Sequence, residues 1–276
     1  CVLRALSSGR SFVGQWPDSN DALARDVVGR LAGDQQLVEA AEHLLAGRLG
    51  RAEPLCRDVL KRDPTNVNAI CMLADIGIRV GALKDSESLL RRALELQPGF
   101  ARARVLLATT CLKRQQYTEA LEELDKLDRS QAGVPDHSLL RANIYSQTGR
   151  HAEAVEIYRE IILSRPGSAG VHMSLAHALK TIGRQSEAIE NYKKASEIQP
   201  TLGDAYWSLA NLKTYRFDDD QIAQMKSLVA TDEIGREDFF HMCFALGKAL
   251  EDRKEYDEAF WYYLRGNVVR RGCLKY

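Results

Sequence analysis

Residues Ala169 to Leu202 read AGVHMSLAHALKTIGRQSEAIENYKKASEIQPTL, and this 34-residue stretch sets the register of the whole chain. Pro64 and Pro98 stand 34 apart, Pro166 and Pro200 stand 34 apart, and Pro98 to Pro166 is twice that interval. With the proline taken as the thirty-second place of each unit, the eighth place holds Ala40, Ala74, Ala108, Ala142 and Ala176. The twentieth holds Ala52, Ser86, Ala120, Ala154 and Ala188, and a glycine falls at the fifteenth in Gly47, Gly81, Gly149 and Gly183.

Each unit therefore reads as two helices. One ends near the glycine, which takes a positive φ at a helix C-terminus, and one ends at the proline, which cannot continue a helix. Small residues recur where the two helices cross, because a larger side chain would push them apart. Leucines and aromatics three and four places apart, such as Ile157, Tyr158 and Ile161, supply the apolar stripe of the second helix. One hairpin cannot bury that stripe alone, so neighbours must stack.

The pattern resembles the tetratricopeptide repeat (TPR), which implies an all-α, right-handed α-solenoid of stacked antiparallel helical hairpins, the TPR superhelix. On this reading residues 1–32 are an N-terminal extension with a capping helix near Asp21 to Ala32. Residues 33–202 are five regular units, 203–239 a divergent unit with an enlarged loop, and 240–276 a final unit whose frame slips by three residues. Pro54 falls in the second helix of the first unit and is tolerable there in the first turn, where its missing N–H has no partner to lose. The third unit has Ala132 in place of the proline, and Gly133-Val134-Pro135 breaks the helix instead. Asp218-Asp219-Asp220 reads as the capped start of a helix running to about Ala230. The start at Cys1 with no Met reads as a fragment or a processed chain.

Composition narrows the function. Thirty-eight basic residues balance thirty-eight acidic ones, which argues against a nucleic-acid surface needing a basic excess. No apolar run approaches the roughly 18 residues of a membrane helix. The six cysteines form no C-x-x-C pair and read as reduced core and surface thiols of a cytoplasmic protein, Cys56 and Cys111 at buried places. Neither a G-x-x-x-x-G-K-[ST] loop, a G-x-S-x-G elbow nor an H-E-x-x-H pair is present, so no catalytic residue, metal or cofactor is expected.

Binding is expected on the concave wall, which the first helices of stacked hairpins line. The second, fifth, ninth and twelfth places should face that groove, and the candidate residues are Arg79, Arg102, Asn143, Met173, His177, Lys180, Trp207 and Asn211. Asn143, His177 and Asn211 share the ninth place and would hydrogen-bond the backbone of an extended peptide or protein segment. The alternative is that these are solvated polar residues, with Trp207 packing between units. Asp75, Asp136 and Asp204 mix acidic charge among the basic residues, which argues against the carboxylate clamp of chaperone-binding TPR proteins.

The segment Asp204 to Gly272, with AYWSLANLKTYRF and FALGKALEDRKEYDEAFWYYLRGNVVRR, resembles the join in bacterial TPR–sulfotransferase fusion proteins. That resemblance implies the non-catalytic repeat region of an enzyme using 3′-phosphoadenosine 5′-phosphosulfate. The sequence stops at Tyr276, before any phosphate loop of that family, so no donor-binding residue is carried over. A second expectation is self-association: Phe260, Trp261, Tyr262, Tyr263 and Leu264 offer more aromatic surface than one neighbouring helix can cover, which points to a homo-oligomer through the C-terminal helix.

Overall fold

A computed structural model of the chain describes residues 34–129, 137–231 and 234–273. The capping helix expected near Asp21 to Ala32, the break at Ala132 to Pro135, and Asp136 lie outside the described residues. Within them the chain is all helical, fourteen helices in seven consecutive pairs, of which the first three, the fifth and the last pack directly on each other as hairpins. The first helices of the pairs are α1 (Gln35–Leu45), α3 (Val67–Val80), α5 (Ala101–Lys113), α7 (Ser138–Gln147), α9 (Ala169–Thr181), α11 (Gly203–Ala210) and α13 (Arg236–Asp252). Their second helices are α2 (Leu49–Arg62), α4 (Leu83–Leu96), α6 (Tyr117–Asp128), α8 (His151–Ser164), α10 (Gln185–Ile198), α12 (Asp219–Val229) and α14 (Tyr256–Cys273). This is an α-solenoid architecture. It divides into two compact units, Cys1–Gly149 and Arg150–Tyr276, with the division between α7 and α8.

Local chemistry starts and stops these helices where the repeat requires. Asp34 accepts the Gln36 N–H at 3.0 Å and Asn66 accepts the Ala69 N–H at 3.1 Å, each satisfying an otherwise unpaired donor of the first turn. Gly47, Gly81, Gly149 and Gly183 all take positive φ, between 69° and 82°, and so turn the chain out of the first helix. In the third hairpin Gln115 does the same at φ 61°, and in the last Lys254 at φ 66°. Lys254 lies 71 residues after Gly183, two periods plus three, which is the expected slip of frame.

The crossings are as small as the sequence requires. Ala40, Ala74, Ala108, Ala142 and Ala176 at the eighth place, and Ala52, Ser86, Ala120, Ala154 and Ala188 at the twentieth, are all 0% exposed. In the unit Cys1–Gly149, one core joins Leu37, Leu44, Val59, Met72 and Ile76 across the first two hairpins. A second joins Ile78, Leu90, Leu107, Leu124 and Ile144 from α3 to α7, so each helix pair is buried by its neighbour.

Four expectations are corrected. Pro54 is the sixth residue of α2, inside the helix and beyond its first turn, so Gly50 loses its backbone partner; both residues are exposed, which lets water take that carbonyl. Asn211 is not within a long first helix: α11 stops at Ala210, and the chain turns through Leu212 to Tyr215, whose ring meets Phe217 edge-on at 5.0 Å. The boundary drawn between 239 and 240 falls inside α13, which begins at Arg236. The divergent unit is not separate either, because α11 packs directly on α13. Asp238 of α13 accepts the Gly203 N–H at 2.9 Å, and a Cβ on Gly203 would strike the Asp238 backbone carbonyl. Burial holds the Asp238 carboxyl above its ordinary pKa, with that N–H bond opposing.

Asp218 caps α12 as expected, taking the Gln221 N–H at 2.8 Å while the Gln221 side chain returns to the Asp218 N–H. In the last hairpin Gly247 replaces alanine at the eighth place of the slipped frame, Ala259 keeps the twentieth, and Gly266 of α14 makes a further close approach. A Cβ on Gly247 would enter the Tyr263 ring at 2.6 Å, and one on Gly266 the Phe244 ring at 2.8 Å. No helix among the described residues is long and apolar enough to cross a membrane.

Candidate functional site

In the unit Cys1–Gly149 the first-helix face carries charge that is partly committed. Arg79 grips Asp75 one turn back in α3, Nε to Oδ1 at 3.0 Å, and reaches the Leu44 carbonyl of α1 at 3.1 Å. Its guanidinium therefore ties two first helices together. Thr109, on the same face of α5, gives its hydroxyl to the Val105 carbonyl at 2.8 Å. Arg102, at the start of α5, is half-buried, and its Nη1 is shut off from solvent with no hydrogen-bond partner. Its charge lowers the thiol pKa values of Cys56 and Cys71, yet burial wins and pushes both up to about 12. Desolvation holds Lys113 below its ordinary pKa, with Asp75 pulling the other way. Asn143, on α7, is half-buried.

In the unit Arg150–Tyr276 the candidates converge on His177. The Tyr192 hydroxyl on α10 lies 2.7 Å from His177 Nδ1, and the two rings meet edge-on with centroids 5.3 Å apart. Tyr192 is 0% exposed, and burial raises its phenol pKa against a hydrogen bond with Ser208 that lowers it, so the hydroxyl keeps its proton. The bond to Tyr192 holds the exposed imidazole through Nδ1 and leaves Nε2 for a ligand. Desolvation lowers the His177 pKa; Asp204 of α11 opposes this and Lys180 of α9 adds to it. The ring is therefore neutral at pH 7. Ser208 extends the cluster, its Oγ 3.4 Å from Asp204 Oδ1.

The other candidates in this unit divide. Lys180 and Asn211 are exposed, Asn211 as the residue that closes α11. Met173 is 6% exposed and is a core residue with no surface to offer. Trp207 is half-buried against Phe244 of α13, ring centroids 5.5 Å apart, so packing takes much of it.

Tyr192 and Ser208 escaped the sequence reading. The signal for Tyr192 was present: it occupies the twenty-fourth place, where the first three units have Cys56, Leu90 and Leu124 and the fourth has Tyr158. A hydroxyl brought into that core must find a partner. His172, by contrast, is structural. It is buried, with Nδ1 2.9 Å from Asn191 Oδ1, and Asn191 is itself fixed by donating to the Glu187 carbonyl at 2.9 Å. Among the described residues no group of three or more His, Cys, Asp or Glu side chains could hold a metal ion.

Family models for the tetratricopeptide repeat match residues 77–144 and 139–167, and a TPR repeat model matches 176–213. The chain thus carries TPR repeats in both units. Among solved structures it is similar to the human IFIT1 dimer with PPP-AAAA, at 20% identity over 90% of this chain and 64% of that one, TM-score 0.59. It is also similar to TTC0263, a thermophilic TPR protein in Thermus thermophilus, at 21% identity over 62% and 93% of the two chains, TM-score 0.53. A likeness to MamA AMB-1 has 25% identity over 59% and 96%, TM-score 0.47. At these identities the first two show the fold alone. None of the curated proteins matches the chain.

Proposed function

We propose that the chain is a non-catalytic TPR scaffold that holds an extended peptide or protein segment against the first-helix face. The observation that carries this reading is His177: an exposed imidazole held through Nδ1 by a buried tyrosine, with Lys180 and Asp204 beside it. An extended backbone offers both N–H donors and carbonyl acceptors to Nε2, and a ligand side chain of either sign finds an opposite charge nearby. The exposed Asn211 amide, donor and acceptor, suits the same task. The free thiols at Cys56, Cys71, Cys111, Cys243 and Cys273 fit a reducing cytoplasm. The resemblance of Asp204 to Gly272 to the sulfotransferase-fusion join supports extending the reading to a repeat region that recruits or orients an acceptor for such an enzyme.

The test is to select peptides from a random display library on the immobilised chain. The best of them is then titrated into the parent and into the double variant His177→Ala, Asn211→Ala. Losing two hydrogen bonds of about 1 kcal/mol each weakens binding about thirtyfold with helix content unchanged. Equal affinity for the two proteins would remove the groove from the account.

A second reading, self-association, is favoured by one observation: α14 exposes large apolar side chains on the side away from α13.

A further inference from the structure

The last helix is apolar on two opposite faces. Ala259, Tyr262 and Gly266 are buried in the hairpin. On the other side Tyr256, Phe260, Leu264 and Val268 repeat every four residues and are 62, 69, 51 and 62% exposed. Trp261, 49% exposed, borders this stripe with the Arg265 guanidinium 4.5 Å above its ring. A contiguous exposed apolar stripe of this length marks an interaction surface.

The order of residues along the stripe says what covers it. Take Leu264 as a centre of twofold symmetry, so that the residue n places before it on one helix meets the residue n places after it on an antiparallel copy. Phe260 then meets the partner's Val268. Asp257, exposed in the first turn, meets the partner's Arg271, exposed in the last. Tyr256 meets the partner's Gly272, and a Cβ at Gly272 would have nothing within 4 Å, so there is room for the ring. Seven residues of helix put each ion pair about 10 Å from the axis, and the twofold makes each of them occur twice. The antiparallel arrangement also opposes the two helix dipoles favourably.

From this self-complementarity we infer that α14 is a homodimerisation helix, pairing antiparallel with α14 of a second copy about a twofold axis at Leu264. The inference rests on the self-association reading and adds to it a register. An unrelated partner would need no match between the two halves of one helix; a second copy needs this one, apolar at the centre and opposite in charge at the ends.

The experiment measures the mass of the full chain by light scattering across a concentration series, for the parent and for Asp257→Arg, Arg271→Asp and the two together. The expected result is a dimer that each single reversal weakens about tenfold, by making two opposed pairs like-charged, and that the double reversal restores. In parallel, Leu264→Cys and Phe260→Cys are each made on a Cys1→Ser, Cys273→Ser background and mildly oxidised. A disulfide needs Cα atoms within about 7 Å. Leu264→Cys should therefore cross-link to itself on the axis, while Phe260→Cys, some 12 Å from its own copy by helix rise, should not. A parent that is monomeric at every concentration overturns both this inference and the self-association reading. A dimer that ignores the charge reversals, or that cross-links as readily through Phe260→Cys, overturns the register and leaves self-association standing.

Discussion

At the scale of single residues, the positions legible in the sequence are those whose job is done by the residue's own shape. The crossing alanines are an example: a small side chain is needed wherever two helix axes approach closely, and Ala176 is 0% exposed as that argument requires. The glycines at the fifteenth place are another, since their positive φ is a backbone property that a missing Cβ permits. Tyr192 is the opposite case, because its role depends on a partner 15 residues away on another helix, and periodicity names the place without naming the bond. The third hairpin offers a direct test of the shape argument. Gln115 holds φ 61° at the place where four other hairpins have glycine, and it is exposed, so the cost of its Cβ is not offset by burial. Gln115→Gly should stabilise the chain by about 0.5–1 kcal/mol, relief of left-handed strain outweighing the added freedom of the unfolded chain. A urea midpoint that stays put or falls, at unchanged slope, would show that this turn is unstrained.

At the scale of elements, helix existence was legible throughout and helix ends were less so. Ends are set by caps and by contacts from neighbouring elements. α12 starts where the sequence suggests because Asp218 with Gln221 is a local capping box. α11 and α13 depart from the repeat because their meeting is tertiary: the Asp238 carboxylate takes the first N–H of α11, and Gly203 leaves room for the Asp238 backbone. No spacing rule in the 34-residue frame contains that contact. Pro54 shows that a helix can carry a local conflict when packing favours it, since Ala52 and Cys56 on either side are both 0% exposed. The tertiary burial of α2 overrides a residue that an isolated helix would reject. Pro54→Ala restores the hydrogen bond to Gly50 and is expected to raise stability by about 1–3 kcal/mol, read as a higher urea midpoint. No gain would mean that the carbonyl at Gly50 loses nothing to the proline.

At the scale of the whole molecule, the fold was legible because a repeat states one packing solution several times over. The candidate site was legible only in part. Periodicity put His177, Lys180 and Asp204 on one face, but it put Met173 there too, and Met173 is buried. Whether a given place faces a ligand or a neighbouring helix depends on how closely successive first helices approach, which differs from hairpin to hairpin. The thiols make that packing measurable over both compact units. Cys56, Cys71 and Cys111 lie in the first unit and Cys243 in the second, all at most 1% exposed. Burial pushes the first two up to about 12 and the other two to about 11. The thiolate is the reactive form, so at pH 8 each of these four is both shielded and almost wholly protonated. Cys273 is exposed. With Cys1→Ser in place, a disulfide reagent should therefore find one fast thiol in the native chain and four that wait for denaturant. Below the unfolding midpoint, labelling of the buried four proceeds through opening of the helices. Because each hairpin is buried chiefly by its neighbours, Cys56, Cys71 and Cys111 should become reactive together, at a urea concentration that need not be the one that frees Cys243. A second fast thiol in the native chain, assigned by mass spectrometry to any of the four, would mean that the hairpin holding it is open in solution and that its packing has been misread.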